Sequence, residues 1–189
     1  STTRVVVAAL AAATISGGTA IVGVAGLGPD TRSPAAAAVG EEGPTPAGAL
    51  DRAQRRVLRQ MAQEEKLAHD LYVAFDGRYR DRRFFRIANS EVTHLNALRA
   101  MMTVYDVTDP TEGMADGEFS AQSWQDLYTA LVAKGSSGLT SALKVAANAE
   151  RRDIADLTAA IKALGDDAPD VESVYRHLRR GSRIHLEAF

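Results

Sequence analysis

The chain has 189 residues, of which 46% are hydrophobic, and its formal net charge is -2. Because acidic and basic residues nearly balance, the composition does not indicate a nucleic-acid-binding surface or a disordered acidic protein. Cysteine is absent from the sequence, which excludes disulfides, thiolate metal sites and cysteine nucleophiles. Any metal ion would therefore be held by oxygen and nitrogen ligands.

The first part of the chain differs in composition from the rest. Residues 1–27 carry Arg4 near the start, followed by two apolar runs, a pattern typical of a secretory signal peptide. An uncleaved membrane anchor is the alternative, because the stretch is long enough to cross a bilayer as a helix. Both interpretations predict an exported domain, secreted or in the cell envelope, and membrane contact only if the segment stays attached. Residues 28–48 are rich in Ala, Gly and Pro, which predicts a flexible linker and a folded domain at 49–189.

Four segments of the domain predict long amphipathic helices. In each of them, apolar residues recur with alternating spacings of three and four. The first helix is expected to end near Gly77, and the second to span about residues 83–105. The third runs from Leu139 to Leu164, and the fourth begins near Pro169, a favoured residue of the first helical turn.

A long polar connection separates the second and third of these helices. It contains Pro110, Gly113 and Gly117, followed by a short amphipathic stretch that ends at Gly135 and predicts an accessory helix. Antiparallel neighbours are usually joined by loops of about 2–8 residues, so the connection favours a crossover between parallel helices. The predicted fold is therefore all-α, a four-helix bundle with a long crossover that contains a short helix.

Polar residues interrupt the apolar stripe of every long helix. The bundle would bring four carboxylates and two imidazoles into one core: Glu65, Glu91, His94, Glu150, Asp153 and His185. Without metal, four like charges in an apolar core would repel one another and destabilise the domain. Two divalent cations would balance them, and the pattern approaches the ligand set of dinuclear bundles, in which two helices supply a Glu and two supply Glu-x-x-His.

The alternative interpretation is a metal-free polar network. The spacing Glu91-x-x-His94 is common by chance, so it carries little weight without the other three stripes. Glu64 lies one step off the apolar stripe and is expected to be solvated. His69 and His177 also lie off their stripes and are expected at the surface or in supporting positions.

Three further residues are predicted to support the ligands. Tyr72 stands two turns after Glu65 on the same stripe, where its hydroxyl could donate to a ligating carboxylate. Tyr175 and Ser182 occupy the corresponding places on the last helix.

At these residues the chain resembles the ferritin-like superfamily, in which ferritins and rubrerythrins place a Tyr seven positions after the Glu of the first helix. Over roughly residues 50–189 it is similar to a small uncharacterised family of prokaryotic ferritin-like domains. Four segments carry this similarity: Glu64-Glu65-Lys66-Leu67-Ala68, Ser90-Glu91-x-x-His94, Asp153-Ile154-Ala155-Asp156-Leu157 and Gly181-Ser182-Arg183-x-His185-Leu186. The chain departs from the superfamily at Ser182, which stands where a bridging Glu is usual. Asp153 is expected to supply the missing carboxylate, and a single metal or two unequal sites stay open.

The resemblance implies a pair of metal ions, with iron expected and manganese or zinc open. In the implied arrangement Glu91 bridges the two metal ions. Glu65 and His94 bind one ion, and the other is bound by Glu150, Asp153 and His185. The implied activity is oxidation of Fe(II) or reduction of oxygen or peroxide. An external electron donor would be needed, because a chain without cysteine cannot hold a rubredoxin-type iron centre. A non-catalytic metal-sequestering module and a metal-free structural bundle are the alternatives, and the sequence leaves the oligomeric state open.

Overall fold

The computed structural model describes residues 48–165 and 167–189, and their secondary structure is entirely helical. Five helices follow one another: α1 (Arg52–Tyr79), α2 (Arg82–Val104), α3 (Gln122–Gly135), α4 (Leu139–Leu164) and α5 (Pro169–Ala188). The all-α prediction is confirmed, with α3 as the accessory helix. The predicted signal or anchor and nearly all of the predicted linker lie outside the described residues. No helix within the described residues is both long and apolar enough to span a membrane.

The ends of α1 show how local chemistry sets its length. Asp51 and Gln54 form a capping box, in which each side chain accepts a hydrogen bond from the backbone of the other residue. The expected stop at Gly77 is wrong, because α1 continues to Tyr79 and the left-handed cap falls on Arg80, with φ 54°. The last turn is anchored from outside, since the hydroxyl of Tyr79 donates to the backbone oxygen of Gly135 at 2.7 Å.

Two helical hairpins form the body of the described domain. α1 packs most extensively against α2, and α4 against α5, and each pair is joined by a short connection. The first hairpin meets the second where α1 packs against α4. The side-chain amide of Gln54 donates to the carbonyl of Leu164 (3.4 Å), and Tyr72 donates to Glu150 (2.6 Å). The start of α1 therefore lies beside the end of α4, and these two helices run antiparallel.

The second contact between the hairpins joins α2 to α5. Tyr105, at the end of α2, donates a hydrogen bond to Asp170 at the start of α5 (2.6 Å), whereas Ser90 lies beside His185 late in α5. These two helices are thus antiparallel as well. It follows that α2 and α4 run in the same direction, and that residues 105–138, which include α3, connect one end of α2 to the opposite end of the domain.

The buried hydrophobic residues of the long helices form two clusters, which are separated along the helix axes. The intervals between the clusters span residues 63–66 in α1, 89–94 in α2, 147–156 in α4 and 179–188 in α5. Each of the six predicted ligands lies in one of these intervals. The apolar core is therefore interrupted by one polar layer to which all four long helices contribute.

α1 is buried on more than one face, since residues 61–68 are all buried. It packs against α2, α3 and α4, and the connection after α2 covers part of its outer side. Lys66 donates to Asp70 (2.5 Å) and to the carbonyl of Ala115 (2.7 Å), while Asp70 accepts from the backbone of Gly117 (2.8 Å). A buried ion pair thus fastens the connection to α1, and charged residues of α1 can lie inside the protein.

Candidate metal centre

The structure brings the six predicted ligands together in the polar layer. All are between 0% and 7% exposed: Glu65, Glu91, His94, Glu150, Asp153 and His185. Helical geometry explains the convergence, because residues three or four apart on one helix share a face, and these faces point between the two hydrophobic clusters. The residues come from four helices, so their meeting depends on the packing of both hairpins.

Glu91 stands at the centre of the cluster. One of its oxygens, Oε1, lies 3.0 Å from Nδ1 of His185, and the other, Oε2, lies in close contact with Nδ1 of His94. The two imidazole rings are stacked, with centroids 5.1 Å apart and an interplanar angle of 23°. Potential ligand atoms of these three residues all lie within 4.8 Å of one another, close enough to share a metal ion.

Two further carboxylates flank this group on opposite sides. Oε2 of Glu65 lies 3.5 Å from Nδ1 of His94, and Oε1 of Glu150 lies 3.7 Å from Nδ1 of His185. Each imidazole therefore faces the central Glu91 and one outer carboxylate. The arrangement has two halves that share Glu91.

Burial and mutual repulsion favour protons on three of the carboxyl groups. Burial, with the nearby Glu91 charge, raises the pKa of Glu65 well above its ordinary value. Burial and the neighbouring Glu150 do the same to the pKa of Asp153. Burial also raises the pKa of Glu150, to about 7. These directions are those expected for acids crowded into a dry site without a compensating cation.

The centre of the cluster shows the opposite behaviour. Burial opposes the charged form of Glu91, but the two imidazoles outweigh it and hold its pKa below the ordinary range. The carboxylates in turn raise the pKa of His185 to about 10 against the effect of burial. The imidazoles on its two sides thus stabilise the charged form of Glu91.

Many polar atoms of this layer lack a hydrogen bond of good geometry within the described part of the chain. Both oxygens of Glu65, Glu91 and Asp153, and Nδ1 of His94 and His185, are buried without an aligned hydrogen-bond partner among the described residues. Buried polar groups in proteins are nearly always satisfied, so an accumulation of this kind calls for an explanation. Oxygen and imidazole nitrogen atoms that converge in this way suit metal ions such as iron, manganese and zinc.

The predicted supporting residues have different surroundings. Tyr72 is fully buried and donates to Oε1 of Glu150 at 2.6 Å, so it contacts a ligand candidate as expected. Ser182 is also buried, and its hydroxyl donates to the carbonyl of Leu178 (3.1 Å). Burial and Glu150 raise the pKa of Asp153, and Ser182 acts in the opposite direction. Tyr175 instead lies in the hydrophobic cluster that contains the first turns of α5.

Glu64 is a correction to the sequence prediction. It was expected to be solvated, but it is completely buried, and its Oε1 accepts a hydrogen bond from Gln60 at 3.2 Å. The reason is that α1 is enclosed on several sides, so a step of 100° around the helix does not lead to solvent. Its charge helps to raise the pKa of Asp153, which places it close to the cluster.

His69 and His177, which lie off the apolar stripes, are outside the polar layer. A ring nitrogen of the partly buried His69 contacts Asp70 at 2.8 Å, and Asp116 lies near both. Because Asp70 is bound to Lys66, this second acidic group belongs to the contact between α1 and the connection. His177 is partly exposed.

Ser90 belongs to the segment Ser90-Glu91-x-x-His94, but no role was predicted for it from the sequence. Its Oγ lies 3.1 Å from Nε2 of His94 and 3.1 Å from Nε2 of His185. The spacing of four residues between Ser90 and His94 is a weak signal in the sequence, since it places both on one helix face. The contact with His185 depends on the packing of α2 against α5.

The fold and this site define a helical, bundle-like protein with a buried carboxylate–histidine cluster that could hold metal ions. The chain belongs to the family described as "Uncharacterized protein domain (DUF2202)", whose model matches residues 54–189.

A similar protein supports this assignment. The chain is similar to the uncharacterized protein MJ0754 of Methanocaldococcus jannaschii, with 38% identity over 136 residues, which are 72% of each chain. It also resembles the crystal structure of hypothetical protein MJ0754 from Methanococcus jannaschii DSM 2661, with a TM-score of 0.73 and 35% identity over 76% of this chain and 81% of that one.

Proposed function

We propose that this protein is a ferritin-like four-helix bundle that binds two metal ions, and that these ions are iron. We further propose that it oxidises Fe(II) with oxygen or peroxide as the electron acceptor. The observation that carries the proposal is the position of Glu91, whose two oxygens each approach Nδ1 of a different imidazole. A carboxylate placed in this way is suited to join two adjacent ions.

The course of the helices favours a ferritin-like bundle. Two antiparallel hairpins pack with α1 beside α4 and α2 beside α5, and the long connection links two parallel helices. Four-helix bundles with one long crossover are the ferritin-like arrangement, and in them metal ligands project inward from facing helices.

The cluster divides naturally between two ions. Glu65 and His94 would hold one ion, Glu150 and His185 would hold the other, and Glu91 would contact both. Asp153 would add a carboxylate to the second ion, because it lies one turn after Glu150 on α4 and Glu150 is the charged neighbour with the largest effect on its pKa. A pair of redox-active ions would supply the electrons for reducing oxygen or peroxide, and the residues of the chain would hold and orient the pair.

Charge and hydrogen bonding both favour metal over a metal-free network. The cluster contains many buried polar atoms without an aligned hydrogen bond to the described residues, and burial together with mutual repulsion raises the pKa values of Glu65 and Asp153, which a cation would counteract. A fully satisfied polar network would instead pair these groups with one another. Tyr72 satisfies one oxygen of Glu150 and leaves the inner side of the cluster available.

The two halves of the proposed site differ in one respect. Ser182 replaces a bridging carboxylate, and its hydroxyl is engaged with the backbone of α5. The second half depends instead on Asp153, one turn after Glu150 on α4. We therefore propose two unequal metal positions, of which the one at Glu65 and His94 is built more like its ferritin counterparts.

Metal analysis of the full chain is the decisive experiment. The purified protein would be stripped with a chelator, loaded anaerobically with Fe(II), and analysed for bound metal after desalting. We expect about two ions per chain, the number that balances four carboxylates. When oxygen or peroxide is then added, the Fe(II)-loaded protein should consume it faster than free Fe(II) does.

Glu91→Gln provides the matched test, because it keeps the shape of the side chain and removes the charge shared by both halves. It should lose most of the bound metal and all of the oxidant consumption above background. Glu187→Gln, at an exposed position of α5, should behave as the wild type. If the wild type retains no more metal than Glu91→Gln, the proposal is refuted. Full binding without accelerated oxidation would refute the catalytic part and favour metal sequestration.

A further inference from the structure

The two imidazoles of the cluster share one hydroxyl group on the side away from Glu91. Oγ of Ser90 lies 3.1 Å from Nε2 of His94 and 3.1 Å from Nε2 of His185. Ser90 precedes Glu91 by one residue on α2, and its side chain is partly buried. The stacked rings are thus held between a carboxylate at their Nδ1 edges and a hydroxyl at their Nε2 edges.

We propose that Ser90 is a positioning residue that orients both imidazoles at once and thereby couples the two halves of the metal site. This inference rests on the proposed function, since it concerns the same cluster. Ser90 is not one of the proposed ligands, but removing its hydroxyl group would affect both metal positions together.

The chemistry of the two groups supports this role. An imidazole that binds a metal through Nδ1 must carry its proton on Nε2, and that N–H needs an acceptor to fix the ring. A serine hydroxyl has two acceptor positions. Ser90 can therefore accept an N–H from His94 and from His185 simultaneously, and turn both Nδ1 atoms towards Glu91.

The position of Ser90 in the fold makes the coupling specific. Its distance from His94 is set within α2, by the spacing of one helical turn. Its distance from His185 is set by the packing of α2 against α5. A change at Ser90 therefore reaches both rings without altering any ligand atom.

Binding of Co(II), measured by its visible absorption, tests the proposal in the full chain. Ser90→Ala should weaken binding at both positions by about 10- to 100-fold, the usual effect of removing a hydrogen-bond partner of a ligating histidine. Ser90→Thr should restore most of the affinity. Thr93→Ala, which removes an exposed hydroxyl from the same helix, should bind as the wild type does.

A second measurement uses the metal-free protein. In ¹⁵N NMR spectra, the Nε2–H groups of His94 and His185 should be protected from exchange with water in the wild type and in Ser90→Thr. Both should lose this protection in Ser90→Ala. If that variant proves unstable, comparing Ser90→Thr with Ser90→Val isolates the hydroxyl in side chains of equal shape.

The outcomes separate this inference from the proposed function. A wild type that binds no Co(II) refutes the metal site itself, whereas the NMR comparison still reports whether Ser90 orders the rings. Wild-type affinity in Ser90→Ala, or a loss confined to one position, would overturn the role assigned to Ser90. Unchanged Nε2–H protection in that variant would overturn it as well.

Discussion

The metal-free protein should become less stable as pH rises from about 5 to about 8, because its central cluster then gains negative charge. In the folded state the pKa of Glu150 is raised from 4.5 to about 7, with burial as the largest cause. The pKa values of Glu65 and Asp153 are also raised, and they change the stability in the same direction. The folded chain therefore holds protons that the unfolded chain has already released.

The size of the effect follows from the linkage between protonation and folding. Stability falls with pH wherever the folded state binds more protons than the unfolded state. For Glu150 alone, a shift from 4.5 to about 7 corresponds to about 3 kcal/mol. This is a large share of the roughly 5–15 kcal/mol that stabilises a typical domain.

The other members of the cluster do not reverse the sign. The pKa of His185 is raised from 6.5 to about 10, so its stabilising effect is complete below 6.5 and is lost as pH rises towards 10. The lowered pKa of Glu91 matters only below about 4.5, where acid removes its stabilising charge. The metal-free protein should therefore be most stable near pH 5.

Urea denaturation at pH 5, 6, 7 and 8 in the presence of a chelator measures this dependence directly. Glu150→Gln should make the profile between pH 5 and 8 less steep, with the remaining slope due to Glu65, Asp153 and His185, whereas the exposed Glu187→Gln should leave it unchanged. Zn(II), which has no redox chemistry, should stabilise the protein most at the higher pH, because bound metal replaces the protons. A metal-free profile that is flat or rises over this range would refute the reasoning.

Three further predictions concern single side chains. Tyr72→Phe should cost about 1–2 kcal/mol in the metal-free protein, because an oxygen of Glu150 loses its buried donor; an unchanged urea midpoint would contradict this. Asp70→Asn should cost about 3 kcal/mol by leaving a buried ammonium group without its carboxylate, while metal stoichiometry by elemental analysis stays the same. Gly135→Ala should lower the melting temperature, because the added methyl group would lie 2.1 Å from the ring of Phe75. The expected loss of folding stability is about 1–3 kcal/mol. A gain in stability would contradict this expectation.

The helices were largely predictable because their signals are local. Apolar spacing marked all five, and Pro169 and Gly165 stand at boundaries that α5 and α4 actually use. The end of α1 was not predictable in the same way. Gly77 is a favourable stop in isolation, but α1 continues to Tyr79, whose hydroxyl donates a hydrogen bond to the backbone of Gly135. That contact joins residues far apart in the sequence.

The sequence by itself determined which residue types interrupt each apolar stripe, and so it predicted six of the buried polar residues in this layer. Period and composition suffice for this, because a helix has a fixed number of residues per turn. Only the tertiary structure decided that Glu64 is buried, that Glu91 lies between two imidazoles, and that Ser90 reaches both. These facts depend on which helix faces which, and packing of four separate segments leaves no mark in the local spacing of any one of them.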